Sequence, residues 1–489
     1  MSTPVAAPAD VTAGFEMVVG LEVHVQLKTR SKAFDGASAD YGAPPNANVE
    51  PLCLALPGTL PVLNARAVEL AVRAALALGC TVHGTSIFAR KHYFYPDLPK
   101  GYQISQHDRP LATEGRLAIG AHADGTPAVV GITRVHMEED AGKSVHDRYA
   151  GFTAVDLNRC GVPLIEIVSE PDMRSPEEAG AYLRTLKQLL EYLEVSDCNM
   201  EEGSLRVDAN VSARRPGAPL GTKCEVKNMN SFSGVERALA AEFRRQCAIL
   251  AAGGSVQQQT LLWDAGKGEV RPARTKEGSS DYRYFPEPDL PPLVITAGQL
   301  DAYRAALPEL PAARKARYAA MGLGDYDVQE LTADPATGPW FERLAAAHGD
   351  AKAAANWTLG EVRATLKEHG GALDAFPVAP ERLARLLDLV RDGAVSVTAA
   401  RKVYARLLES PADEPRALAE REGLLQVRDD DSLARWVDEV LAENPAEAQR
   451  FLGGERKLQG VLVGLVMKKS QGRADPKKVN QLLGAKVSA

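Results

Sequence analysis

Val18-Val19-Gly20-Leu21-Glu22-Val23-His24-Val25-Gln26-Leu27 alternates apolar and polar side chains. Leu21, Val23, Val25 and Leu27 fall on one side of an extended chain; Glu22, His24 and Gln26 fall on the other. That period of two predicts a half-buried strand. A carboxylate and an imidazole two residues apart on one strand face can reach a single metal ion or a phosphate-bearing ligand. Taken alone, the pair reads equally as a solvated strand face. The choice depends on what recurs downstream.

Four further segments place carboxylates where a plain core would not. Arg134-Val135-His136-Met137-Glu138-Glu139-Asp140 ends a strand in an acidic cluster, and alternation puts Glu138 on the polar side with Arg134 and His136. Pro163-Leu164-Ile165-Glu166-Ile167-Val168 embeds one carboxylate in an apolar run, so Glu166 needs a cation, an arginine or a metal. Leu205–Val211 lines up Arg206, Asp208 and Asn210; Lys223–Asn228 lines up Lys223, Glu225 and Lys227. Each segment alone fits a salt-bridged strand. Together they supply hard oxygen ligands, an imidazole and phosphate-clamping cations, the parts of metal-assisted phosphoryl transfer. Ala141-Gly142-Lys143-Ser144 resembles the end of a Walker A loop, but Met137 stands where its first glycine is required. No H-E-x-x-H zinc motif occurs.

Around these segments the chain is an ordinary globular one. It has 489 residues, 45% hydrophobic and 25% charged, with net charge −7. No global basic field announces a nucleic-acid partner. Six cysteines without a C-x-x-C pair indicate neither a disulfide scaffold nor a four-Cys zinc site, so a reducing cytosol is the natural compartment. No signal peptide or membrane span is evident. Residues 1–13 read as a disordered tail. Residues 14–305 mix strands with helices at Asn64–Leu78, Pro176–Leu193 and Gly234–Ala252, the last two opened by Ser175/Glu178 and Ser233/Glu236 capping boxes. This is the pattern of an α+β domain. Residues 306–415 read as a helical domain, with helices at Pro380–Arg391 and Val397–Leu408; 416–489 read as a small helical tail, with one at Asp431–Glu443.

Two loops interleave aromatics with cations: Arg90–Gln106 and Arg274–Asp289. Such loops either stack on a base or pack as a lid over the sheet. From Glu455 to Ala489, eight basic residues face two acids, densest at Lys468, Lys469, Arg473, Lys477 and Lys478. That patch is a solvated face or a grip on nucleic-acid phosphates.

As a set these segments closely resemble the B subunit family of the glutamine-dependent aspartyl/glutamyl-tRNA amidotransferases. The resemblance rests on Gly20–Val25, Lys91–Gln106, His136–Ser144, Val155–Arg159, Pro163–Pro171, Met200–Arg206, Asp281–Asp289 and Val479–Leu483, in one order over about 16–484. It implies a cradle-like catalytic domain, a helical domain and a mobile tail module. It implies that Mg-ATP phosphorylates the side-chain carboxylate of Glu-tRNA(Gln) or Asp-tRNA(Asn), and that ammonia then displaces phosphate. The ammonia would come through a channel from a glutaminase (amidase) A subunit, with a small C subunit completing a cytoplasmic heterotrimer. The resemblance assigns His24, Glu139 and Glu166 to Mg²⁺, and Glu22, Glu139, Asp208 and Glu225 to a neighbouring cation. It carries Lys91, Glu139, Arg159 and Arg206 over as catalytic residues and Lys143, Ser144, Lys227, Arg283 and Tyr284 as nucleotide contacts. Because alternation favours Glu138, an inward Glu139 requires the strand to end or bulge there. Some relatives carry a cysteine pair where Glu50-Pro51-Leu52-Cys53 has one, so zinc is not expected. The competing readings are an ATP- and metal-dependent ligase for a small free carboxylic acid, and a non-catalytic tRNA-binding subunit with a structural cation. The acidic cluster disfavours the second and the basic tail the first.

Overall fold

Alternation at 18–27 builds the strand it predicts, in the middle of the largest sheet. The fold is that of a computed structural model describing residues 11–122, 124–273, 282–427 and 429–487. Most of the expected tail, residues 1–10, and Arg274–Asp281 of the second aromatic loop lie outside the described residues; residues 11–14 form a turn. The chain divides into two units, 1–311 and 312–489.

The first unit runs β1 (Glu16–Gln26), α1 (Ala65–Ala77), β2 (Thr81–Val82), β3 (Thr85–Ser86), β4 (Ala89–His92), β5 (Tyr102–Ser105), β6 (Ala112–Ala121), β7 (Pro127–Glu139), β8 (Lys143–Tyr149), β9 (Phe152–Asp156) and β10 (Pro163–Ser169). It continues α2 (Pro176–Tyr192), β11 (Leu205–Arg214), β12 (Cys224–Lys227), α3 (Phe232–Ala251), β13 (Thr260–Asp264), β14 (Glu269–Pro272), β15 (Phe285–Pro286) and β16 (Leu293–Val294). Nine strands form one sheet in the order β14-β13-β12-β11-β1-β10-β7-β6-β2. Among its described strands only β12 and β13 run parallel; the other neighbours are antiparallel.

Register sorts the side chains. His24 lies opposite Glu166 on β10 and Arg206 on β11; Glu22 lies opposite Asp208; Glu166 lies opposite His136; Asn210 lies opposite Glu225. Directly opposed residues share a face, so the polar positions that alternation predicts on these strands stand on one side. The other side carries Leu21, Val23, Val25, Val135, Ile165, Ile167, Val207 and Ala209, all buried against apolar residues of α1, α2 and α3. Each fully buried Val or Leu contributes about 1.5–3 kcal/mol. This apolar layer holds the sheet flat against its helices and leaves the polar face to the loops.

Helix α3 begins two residues before the expected Gly234. Its cap is Ser231, in extended backbone and accepting from Gly234 N, rather than Ser233. Ser231 is the last extended residue, and only there can a hydroxyl reach the open N–H groups of the first turn. Ser175 caps α2 as expected, but Glu178 accepts from Arg174 N instead of closing the box on Ser175.

The second unit is helical among its described residues. Helices occupy Pro380–Arg391, Val397–Glu409 and Asp430–Glu443, close to their predicted limits. One apolar cluster gathers Trp340, Phe341, Leu386, Val403 and Leu418; another gathers Leu433, Phe451, Val466 and Leu483. No described helix is long and apolar enough to cross a membrane.

Candidate active site

Three strands carry the centre of the polar face. His24 Nε2 lies 3.3 Å from Glu166 Oε2, and His136 Nε2 lies 3.4 Å from the same oxygen and 3.2 Å from Glu138 Oε1. One ligand atom each from His24, Glu138 and Glu166 falls within 4.8 Å of the others. Glu138 also accepts from Ser105 Oγ at 2.7 Å and Gln103 Nε2 at 3.0 Å, both on β5.

Glu139 points the other way. Its carboxylate takes the Lys100 ammonium and the Ile104 N–H, the latter at 2.9 Å. The strand β7 ends at Glu139, but the ladder from Pro163–Glu139 to Val168–Arg134 runs without a bulge, so Glu139 keeps its alternating place. Strict alternation wins because the neighbouring Met137 and Val135 are fixed in the core. Glu138, which alternation had placed on the polar face, joins His24 and Glu166.

Electrostatics follow from burial and company. Burial pushes the Glu166 and Glu138 carboxyls up, but His136 and His24 outweigh it at Glu166, and Lys91 and His136 outweigh it at Glu138. Glu166 is thereby held well below the usual range and Glu138 at about 2. Burial opposes charge on His136, yet Glu166 and Glu138 raise it to about 9; His24 is raised in the same way. The pocket thus draws positive charge. An imidazole with two ionised carboxylates is a donor set that suits a divalent cation such as Mg²⁺ or Mn²⁺, and the residues present fit one.

Next to this group, Glu22 accepts from Asn210 Nδ2 at 2.9 Å, and burial followed by repulsion from Glu166 raises its pKa. Lys227 binds Asp208 and lies 2.8 Å from Glu225, so it neutralises the pair expected to hold a second cation. A cavity of about 220 Å³ reaches Glu22 between Val168, Pro171 and Asn210.

Asp140 gathers the two expected arginines. Arg206 Nη1 and Gln26 Nε2 donate to its Oδ2 at 2.9 and 2.8 Å, and Arg159 Nε lies 3.6 Å from Oδ1. Arg159 also donates to the carbonyls of Ala141 and Gly142, at 2.9 and 2.6 Å. Gly142 is packed so closely that a Cβ would sit 2.9 Å from the Asp156 and Asp97 carbonyls. Beyond it Lys143 is exposed, and Ser144 donates to Asp97 at 2.9 Å; both lie on the β8–β9 hairpin.

The rim is aromatic. Lys91 Nζ stands 3.9 Å from Glu138 and 5.4 Å from the Tyr282 ring centre. Tyr284 stacks on His107 at 4.0 Å, and burial pushes its hydroxyl up to about 12. Arg283 between them is exposed. The strand β15 that follows is fastened to β4 by a fork that sequence reading missed: Arg90 donates to both Glu287 oxygens, at 2.7 and 2.8 Å. Glu138, Asp140 and Lys100 were likewise absent from the expected set, although parity alone pointed to Glu138.

In the tail, Lys468 and Lys477 are exposed, whereas Lys469 pairs with Glu439 and Glu443 and Lys478 with Asp430. Arg473 lies over Trp436 at 6.0 Å.

Residues 17–301 match the GatB/GatE catalytic domain, and residues 339–487 match the GatB domain. The chain belongs to the GatB family of amidotransferase B subunits. It is 51% identical to the B subunit of the aspartyl/glutamyl-tRNA(Asn/Gln) amidotransferase of Thermosynechococcus vestitus, over 99% of this chain and 98% of that one. It is 49% identical to the B subunit from Chlorobium phaeobacteroides and 50% to that from Anaeromyxobacter sp. strain K, each over 97% of this chain and 99% of the relative. Membership in the family spans both units, and the polar-face residues His24, Glu138, Glu166 and Asp208 all lie inside the catalytic-domain match.

Proposed function

We propose that the chain is the component of a tRNA-dependent amidotransferase that activates and amidates the side-chain carboxylate of Glu-tRNA(Gln) or Asp-tRNA(Asn). The observation that carries this reading is the single buried face on which His24, Glu138 and Glu166 meet within reach of Lys91. A carboxylate does not accept ammonia. Transfer of the γ-phosphoryl group of ATP to the carboxylate oxygen releases ADP and gives an acyl phosphate; attack of ammonia at the carbonyl carbon forms the C–N bond and expels phosphate. When bound, a divalent cation supplies charge neutralisation for the phosphates.

The chain's own residues do the rest. Burial pulls the Lys91 ammonium down, but Glu138 outweighs it and Lys91 stays charged, able to hold phosphate oxygens. Glu138 and Glu166, with His24, would hold a divalent cation against the sheet. Arg206 and Arg159 fix Asp140, and with it the 141–142 turn that leads into the hairpin. The tyrosines at 93, 282 and 284 wall the site from water, which would hydrolyse the acyl phosphate. The ammonia source is a partner glutaminase, with a small third protein joining the two. The 14–305 segment carries catalysis, 306–415 links, and 416–489 grips tRNA through Lys468, Arg473 and Lys477.

The test is direct. The chain is purified with its glutaminase and small partner proteins and given ATP, Mg²⁺, glutamine and Glu-tRNA(Gln) or Asp-tRNA(Asn). Amidated aminoacyl-tRNA is the expected product. ATP-dependent amidation of a free acid without tRNA would instead favour the small-acid ligase.

A further inference from the structure

Away from the polar face, Cys53, Cys160 and Lys32 form a buried cluster, with half-buried Asp35 at its edge, that the proposed reaction does not use. Lys32 is fully buried. Its ammonium donates to the Asn48 carbonyl at 2.6 Å, the Leu157 carbonyl at 3.3 Å and Cys53 Sγ at 3.3 Å. Buried ammonium needs a counter-charge, and the Asp35 carboxylate supplies one through Cys53, whose Sγ donates to Asp35 Oδ2 at 3.2 Å. Cys53 and Cys160 lie side by side. Each sulfur also reaches the other residue's carbonyl, at 3.7 and 3.9 Å.

The two loops that carry the cysteines are already fastened together. Asn46 donates to the Val155 carbonyl and accepts from Leu157 N, at 3.0 and 2.7 Å, and Asn48 N donates to Asn158 Oδ1 at 2.8 Å. A covalent link between them needs no refolding. Leu54, next to Cys53, is exposed, so a small oxidant has a short way in.

We propose that Cys53 and Cys160 are a hydroperoxide-sensitive thiol pair, Cys53 attacking and Cys160 resolving, that closes to a disulfide between the 46–53 loop and the 157–162 turn. The Cys53 thiolate attacks hydrogen peroxide; an S–O bond forms, the O–O bond breaks and hydroxide leaves, oxidising the sulfur to sulfenic acid. Cys160 gives up its proton and attacks that sulfur; the S–S bond forms, the S–O bond breaks and water departs. Two thiols thereby supply two electrons to one peroxide, which ends as two waters.

Environment sets the order of attack. The neighbouring Cys160, offset in part by burial and by Asp35 and aided by the Glu50 backbone and Lys32, brings the Cys53 thiol down to about 7. The neighbouring Cys53, with burial, pushes Cys160 up. Burial pushes Cys80 and Cys198 up to about 12 and Cys224 up to about 11, so these behave as inert core thiols. The turn that carries Cys160 also holds the active site: Gly161 N donates to the Asp140 carbonyl and Asp140 N to the Val162 carbonyl, both at 2.8 Å. The link therefore ties Asp140 to the 46–53 loop.

The full chain is treated with hydrogen peroxide, its free thiols are blocked with N-ethylmaleimide, and the unreduced digest is read by mass spectrometry. The expected result is a cross-linked peptide pair joining Cys53 to Cys160 that dithiothreitol removes, with Cys80, Cys198, Cys224 and Cys247 still alkylated. In Cys160→Ser, dimedone labels Cys53. Full alkylation of Cys53 and Cys160 after peroxide would overturn the proposal. So would a Cys53–Lys32 link in place of the disulfide. The wild-type cross-link is read without any substitution, so a variant that fails to fold leaves the test intact.

Discussion

Glu138 and Glu139 are neighbours in sequence and occupants of opposite faces of one sheet. Glu138 meets His136 at 3.2 Å on the polar face, while Glu139 receives Lys100 and the Ile104 N–H on the other. Their roles separate accordingly. Glu138→Gln is expected to lower kcat for ATP-dependent amidation by at least about a hundredfold, roughly 2.7 kcal/mol, with tRNA affinity unchanged. Wild-type turnover by Glu138→Gln in single-turnover assays would remove Glu138 from the site.

Glu139→Gln acts on the fold first. It leaves Lys100 buried without its counter-charge, a loss of about 3–5 kcal/mol for a broken buried pair. Urea denaturation should show the midpoint falling without a change in slope. The double variant Glu139→Gln, Lys100→Met should recover most of it.

Cation affinity checks the trio from another side. His24→Ala should weaken Mn²⁺ binding, followed by electron paramagnetic resonance, about tenfold or more, roughly 1.4 kcal/mol. Equal affinity in wild type and variant would place the cation elsewhere.

Asp140 gives a pH dependence with a definite sign. Burial raises its carboxyl, but Arg206 and Arg159 outweigh burial and hold it below the usual range. Its contribution is therefore complete above the unfolded value of about 3.9 and is lost as pH falls through the depressed folded value. Denaturant midpoints measured from pH 6 down to pH 3 should fall more steeply in wild type than in Asp140→Asn. Parallel curves would show that the arginines do not stabilise the ionised form.

For the tail, Lys468 and Lys477 make a cleaner test than Lys469, which is already paired with Glu439 and Glu443. Reversing both charges should raise the KM for tRNA and flatten its dependence on salt, each lost phosphate contact removing about one unit of slope. The KM for ATP should stay constant.

Much of this was legible in the sequence, for identifiable reasons. Period-two alternation located β1, β10, β11 and the polar side of each, because a strand with one buried face has no freedom to slip. The same rule put Glu138 on the polar face, where it stands beside His136, while the family resemblance had named Glu139. Helix limits were good where Pro176 or Pro380 marks the first turn, and off by two at α3, where Ser231 and Ser233 compete for the cap. Long-range partners were not legible. Nothing local in Lys100 or Arg90 signals a carboxylate 39 or 197 residues away; only the folded topology brings them together.

The fork from Arg90 to Glu287 also orders the site in time. One wall of the site stands on β4, and Glu287, just past the strand β15 that clasps it, is 197 residues younger on the ribosome than Arg90. The sheet with His24, Glu138, Glu166 and Asp208 can assemble from residues already synthesised, but its rim cannot close until residue 289 has emerged. A nascent or truncated chain would thus display an open, acidic, cation-hungry face before it has the means to shelter a reactive acyl phosphate.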